Sequence, residues 1–169
     1  MEYGFFFDYE KCCGCYACAV ACMDQNDTVV EKGADGINAF RRIYKSEDGA
    51  YPDTRVQNIS MACMHCEDAP CVMGCPTNAI YKDEANGATL VNQDLCIGCH
   101  SCAIACPFGV PRYIDGKMQK CEMCLLRVEH GYSTPCARNC PTEALQFGRI
   151  NEFSDKKEGV VIRKLLSGK

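Results

Sequence analysis

Apolar positions along this chain never sustain a long amphipathic face; they come in short runs separated by polar and glycine-containing stretches. Residues 4–8 (GFFFD), 79–82 (AIYK), 89–92 (TLVN) and 145–147 (LQF) read as short strands, being rich in branched or aromatic side chains. Asn86-Gly87, between the second and third of these, is a strong tight-turn signal and predicts a hairpin. Strand 145–147 then lacks a partner. The unpaired candidate is 4–8, so the chain is expected to close on itself. Residues 23–62 form a connection whose glycine-rich and charged portions suggest loops around one apolar and basic run, 40–44 (FRRIY). A further strand is expected at 160–163. The longest apolar runs, 4–7 and 159–162, fall far below the roughly 20 residues of a membrane helix, so no transmembrane segment is expected.

Cysteine punctuates this pattern. The 169 residues contain 17 cysteines, and all but Cys13 fall into four groups that each end in a C-x3-C step. Cys12, Cys15, Cys18 and Cys22 form a compact group, as do Cys96, Cys99, Cys102 and Cys106. Cys63, Cys66, Cys71 and Cys75 form an expanded group, as do Cys121, Cys124, Cys136 and Cys140. Proline follows the last member of three groups, at Pro76, Pro107 and Pro141. The segments after Cys75 (PTNAIY) and Cys140 (PTEALQF) also repeat.

The start, MEYGFFFDYEK, has no basic head, long apolar run or cleavage site, which points to the cytoplasm; export of the folded chain with a signal-bearing partner is the alternative. In a reducing compartment a cysteine-dense chain binds metal rather than forming disulfides. The odd cysteine count and tight spacing agree. A net charge of −4 and a pI near 5.4 leave no basic footprint for nucleic acid. No nucleophile–base pair, paired carboxylates or phosphate-cradling loop stands out, so catalysis by this chain alone is unsupported.

Thiolates are soft ligands, and C-x2-C-x2-C-x3-C-P is the run that holds [4Fe-4S] clusters in two-cluster proteins. Three close cysteines wrap one cluster, while small residues such as Gly14, Ala17, Gly98 and Ser101 permit close approach. The fourth reaches the neighbouring cluster. With group one paired to group four and group two to group three, the expected ligand sets are Cys12, Cys15, Cys18 and Cys140 for cluster 1; Cys121, Cys124, Cys136 and Cys22 for cluster 2; Cys63, Cys66, Cys71 and Cys106 for cluster 3; and Cys96, Cys99, Cys102 and Cys75 for cluster 4. Zinc, which also uses C-x2-C pairs, has no need of a third cysteine two residues on. Little apolar sequence remains, so the clusters are expected to form much of the core and the apoprotein to be largely unfolded.

Cys13 reads as a bystander whose side chain points away. His65, His100 and His130 are expected at the surface, although His65 within C-M-H-C could donate to a cluster. Arg112, Lys120, Arg127 and Arg138 lie near the groups, where positive charge would ease reduction, with solvated positions as the default.

Y-G-F-F-F-D before the first C-x2-C, F-R-R-I-Y at 40–44, C-M-H-C-E-D-A-P-C at 63–71, C-I-G-C at 96–99 and A-L-Q-F-G at 144–148 together resemble the iron–sulfur subunit of dimethyl sulfoxide reductase and its relatives. The resemblance implies an α+β, loop-rich fold of two bacterial-ferredoxin-like units with short antiparallel hairpins and short helices. The first would comprise residues 1–22 plus 107–153 and the second 63–106, with 23–62 a connecting insertion and 154–169 a C-terminal tail. It further implies four [4Fe-4S] clusters and an electron-transfer role beside a large molybdenum- or tungsten-pterin catalytic subunit, with a further redox subunit allowed. A free-standing polyferredoxin carrier is the alternative.

Overall fold

The computed structural model describes residues 3–27 and 39–155. The strand expected at 160–163 and the tail beyond 155 lie outside the described residues, as do positions 28–38 of the insertion. In chain order the elements are β1 (Tyr3–Phe7), α1 (Ala17–Gln25), β2 (Arg42–Asp48), β3 (Arg55–Met61), α2 (Pro70–Met73), β4 (Ile80–Lys82), β5 (Thr89–Val91), α3 (Ser101–Ala105), β6 (Arg112–Ile114), β7 (Lys117–Gln119), α4 (Leu125–Glu129), α5 (Pro135–Arg138) and β8 (Leu145–Arg149). The strands form antiparallel two-stranded sheets, with short helices between them. The fold is α+β, ferredoxin-like and loop-rich.

Two pairings follow from the apolar pattern. In β4–β5, Ile80 faces Val91 and both are buried, while the intervening Tyr81 is exposed. Their loop, residues 83–88, is longer than a two-residue turn. The Asp83 carboxylate accepts from the Ala85 amide at 2.8 Å and from the Asn86 side chain at 2.9 Å, and Gly87 takes a positive φ of 75°. Strand β1 pairs with β8 from Tyr3↔Arg149 to Phe7↔Leu145, closing the ends of the described chain on each other. The Phe5 and Phe147 rings lie 5.1 Å apart, and Tyr3 stacks on Phe147 at 5.6 Å.

Two further hairpins were not expected. β2–β3 lies within the insertion that reads as loops. Its outer half is solvated, with Tyr44 through Asp48 exposed, so no alternating apolar stripe marks it in the sequence. β6–β7 turns on Asp115-Gly116, both at positive φ (51° and 75°), which is the Asp-Gly two-residue turn of a short hairpin. That dipeptide was the available signal.

Among the described residues three small groups of buried apolar residues pack together, and each contains cysteine. Ala19, Cys22, Ala39, Phe40, Ala62, Cys63 and Cys121 form one; Ile80, Val91, Cys102 and Met118 a second; Cys18, Cys136 and Leu145 a third. Large aliphatic side chains are scarce here. A core built of alanine and thiols depends on what the thiols hold.

Candidate metal centre

The compact cysteine loops share one local geometry. Gly14 and Gly98 sit at φ 68° and 66°, Tyr16 and His100 cap α1 and α3 at φ 62° and 66°, and the third cysteines, Cys18 and Cys102, fall inside those helices. Each of these glycines makes room for a neighbouring segment of chain. A side chain at Gly98 would run into the Gly116 carbonyl of the β6–β7 turn, and one at Gly14 would meet Asn58 of β3. Each unexpected hairpin therefore covers one compact loop. Each also supplies a hydroxyl to the third cysteine: Ser60 lies 3.6 Å from Cys18 Sγ and the Tyr113 phenol 3.1 Å from Cys102 Sγ.

The cysteines gather in mixed sets. Cys96, Cys99, Cys102 and Cys75 line one cavity, and Cys63, Cys66, Cys71 and Cys106 line another, so each holds three thiols from one group and one from the other. Met118, with 1% of its surface exposed, lines both and separates them. Around the other two groups, Cys18 and Cys136 pack with Leu145 and Cys140, as helices α1 and α5 meet. Cys22, Cys121 and Cys63 share a core group, which places the mixed sets side by side. Among the described residues no three His, Cys, Asp or Glu side chains converge closely enough to share one ion. Thiols spread around a volume suit a multi-atom cluster, in which each thiolate takes a different iron.

Donors surround the sulfurs. The amides of Met118, Met123 and Leu145 approach Cys96, Cys121 and Cys140 Sγ at 3.4 Å each. Thr77 and Thr142, from the repeated P-T segments, approach Cys75 and Cys140 at 3.7 and 3.8 Å. Burial works against thiolate formation at Cys75 and Cys140, but the amide and threonine donors prevail and their pKa values fall below the ordinary one. Burial wins elsewhere. It pushes Cys121 and Cys124 up to about 12, with Cys136 and Cys22 beside Cys124 adding to the rise. Cys18, Cys22, Cys63, Cys71 and Cys102 also lie above their ordinary value, mainly from burial. Without a metal such thiols keep their protons; ligation releases them. The donor set fits [4Fe-4S] clusters: only thiols, ringed by N–H and O–H groups that satisfy anionic sulfur.

Two sequence expectations need correction. His65 is buried, not superficial, with 7% of its surface exposed. The Thr89 amide donates to its Nδ1 at 3.0 Å, which leaves the ring proton on Nε2, itself buried and without a partner among the described residues. Burial, then Lys120, Lys82 and Arg41, lower its pKa to about 3, so it stays neutral. Lys120 is buried as well, at 3% exposure, because its ammonium closes onto the Thr89 and Cys121 carbonyls. The remaining candidates are closer to expectation. Cys13, His100, His130 and Arg138 are exposed, Arg127 donates to Gln25, and Arg112 donates to the Gly109 and Pro111 carbonyls. Sequence reasoning missed Arg41, 3% exposed, whose guanidinium lies 4.6 Å over the Phe5 ring and donates to Ser60 at 3.2 Å. It was legible only as part of a basic run.

Residues 54–150 match the 4Fe-4S dicluster domain family. Over 165 residues the chain is 40% identical to the B subunit of the anaerobic dimethyl sulfoxide reductase of Escherichia coli strain K12, covering 92% of this chain and 77% of that protein. It is 42% identical over 155 residues to the thiosulfate reductase electron transfer subunit of Salmonella typhi, covering 89% and 78%. The corresponding anaerobic dimethyl sulfoxide reductase subunit of Haemophilus influenzae is 40% identical over 166 residues, covering 92% and 78%.

Proposed function

This chain belongs to the family of iron–sulfur electron-transfer subunits built on the 4Fe-4S dicluster domain that serve dimethyl sulfoxide reductase and its relatives, and from that premise we propose that it holds four [4Fe-4S] clusters in a row beside a large molybdenum- or tungsten-pterin catalytic subunit. The ligand sets are those expected from the spacing: Cys12, Cys15, Cys18 and Cys140; Cys22, Cys121, Cys124 and Cys136; Cys63, Cys66, Cys71 and Cys106; Cys75, Cys96, Cys99 and Cys102. The carrying observation is the pair of cavities, each lined by three thiols of one group and one of its neighbour. Residues 1–22 with 107–153 would form one two-cluster unit and 63–106 the other, a division that the β1–β8 and β4–β5 pairings support, with 107–120, including β6–β7 and Lys120, reaching across to line the cavities of groups two and three.

When bound, a cluster takes up and passes on one electron. Everything else falls to the protein. Cysteines fix the clusters, Met118 sets the wall between clusters 3 and 4, and the core shared by Cys22, Cys121 and Cys63 sets clusters 2 and 3 side by side. The resulting order is 1–2–3–4. Among the described residues no helix is long and apolar enough to cross a membrane.

Anaerobic purification of the native protein with its co-purifying chains, followed by iron, sulfide, zinc, molybdenum and tungsten analysis, tests this reading. The expected result is about sixteen irons per copy, four per cubane, with molybdenum or tungsten on a large companion. The same iron on a chain that elutes alone would instead favour a free polyferredoxin, and zinc with little iron would overturn the cluster assignment.

A further inference from the structure

Arg41 and Lys120 are both almost fully buried, and among the described residues neither forms an ion pair with a carboxylate. Among the described residues the ion pairs are Lys11 with Asp8 and Lys45 with Glu47, both at the surface. The partners of the buried cations are neutral: Ser60 and the Phe5 ring for Arg41, and the Thr89 and Cys121 carbonyls for Lys120. Among the described residues Arg41 Nε has no hydrogen-bond partner. Burying an unpaired cation is strongly unfavourable, so two of them at the centre of a small chain require a negative charge close by.

Their positions identify it. Arg41 donates to Ser60, which lies 3.6 Å from Cys18 Sγ, and follows Phe40 in the core group that holds Cys22 and Cys121, while Lys120 donates to the carbonyl of Cys121. Lys120 also lines the cavity of Cys63, Cys66, Cys71 and Cys106. Around the Cys75, Cys96, Cys99 and Cys102 cavity the picture differs. Among the described residues no lysine or arginine lines it, and the polar neighbours of its sulfurs are hydroxyls and amides.

Resting on the four-cluster reading above, we propose that Arg41 and Lys120 are fixed counter-charges for the two central clusters, Arg41 for cluster 2 and Lys120 for cluster 3, and that they hold those two potentials above what thiolate ligation alone would give. A thiolate-bound cluster is anionic and gains negative charge on reduction, so a buried positive charge favours the reduced form. The effect persists at high salt because the interior is poorly screened. Both residues act on potential without ligating iron.

The test is a redox titration of the purified holoprotein, following each cluster by electron paramagnetic resonance, for wild type, Lys120→Met, Lys120→Arg, Arg41→Met and Arg41→Lys. Lys120→Met is expected to make reduction of cluster 3 at least tenfold less favourable, a fall of about 59 mV for a one-electron couple. Arg41→Met is expected to do the same to cluster 2, with a smaller fall at cluster 1. The charge-keeping variants should stay near wild type. If a methionine variant fails to load iron while its charge-keeping counterpart loads fully, the charge is needed to hold the cluster and the proposal stands. If the charge-keeping variant also fails, or shifts as far as the methionine variant, side-chain shape is responsible and the proposal falls. It falls equally if both methionine variants carry full iron with unchanged potentials. Loss of the four-cluster reading would show separately, as fewer than four cubanes in the wild-type protein.

Discussion

Replacing Tyr113 by phenylalanine removes one oxygen and leaves the rest of the site in place. The phenol lies 3.1 Å from Cys102 Sγ, and its ring stacks on His100 with centroids 3.6 Å apart. Burial first, and the contact with Cys102 second, raise the Tyr113 pKa, so the hydroxyl keeps its proton and would donate it to the Cys102 sulfur once that sulfur ligates a cluster. A hydrogen bond to a charged acceptor is worth about 1.5–3 kcal/mol. Only the part that strengthens as the cluster gains an electron affects the potential; taking about a third gives roughly 0.5–1 kcal/mol. At 59 mV per tenfold change in a one-electron equilibrium, Tyr113→Phe should lower the potential of cluster 4 by about 20–40 mV. Anaerobic redox titration of the holoprotein reads this directly, and the other three clusters should not move. Phenylalanine preserves the stack on His100, so iron content should be unchanged. An unaltered cluster 4 potential at full iron content would refute the argument, and so would an equal shift at a distant cluster, because the effect depends on contact with Cys102.

Cys140→Ser should damage cluster 1 and spare cluster 2; spectroscopic loss of cluster 2 alone would mean that ligands are not exchanged between groups one and four. Gly98→Ala should lower iron content by about one cubane in four and remove the cluster 4 signal, because the new methyl group strikes the Gly116 carbonyl at a backbone φ of 66°. Gly109→Ala supplies the control: its φ is 58° but nothing crowds it, so it should cost about 1 kcal/mol of stability, read by thermal unfolding, with iron content intact. Cys13→Ser should leave iron content and spectra unchanged, since Cys13 falls outside the four spaced groups, and any lost cluster signal would make it a ligand.

The cysteine spacing and two of the four strand pairings were legible because short apolar runs mark the strands, and the β1–β8 partner followed by elimination although it lies at the far end of the described chain. Cysteine spacing encodes the loop geometry, and Ile80, Val91 and Leu145 mark strands with a buried face. The β2–β3 ribbon was not legible, because Lys45, Glu47 and Asp48 face water and its register rests on backbone pairing rather than on an apolar stripe. With it went the role of Ser60 beside Cys18 and of Asn58 over Gly14. Asp115-Gly116 was legible as a turn, yet nothing local says that this turn packs on Gly98. The burial of Arg41, His65 and Lys120 depends on contacts far along the chain, such as Arg41 with Ser60 and His65 with Thr89. A charged residue next to a cysteine looks the same in sequence whether it faces water or the interior.

The pairing of β1 with β8 also fixes a timetable. Groups two and three and both hairpins around them are complete once residue 119 has been synthesised, so that part of the chain can close while the rest is still being made. Group one is made first but finished last: Cys18 has to wait for Cys136, Cys140 and strand β8, more than a hundred residues downstream. Its earliest thiols thus spend most of translation without the partners that bury them. A cell making this protein has reason to delay iron delivery to that end, or to shield it from oxygen, until the last cysteine has emerged.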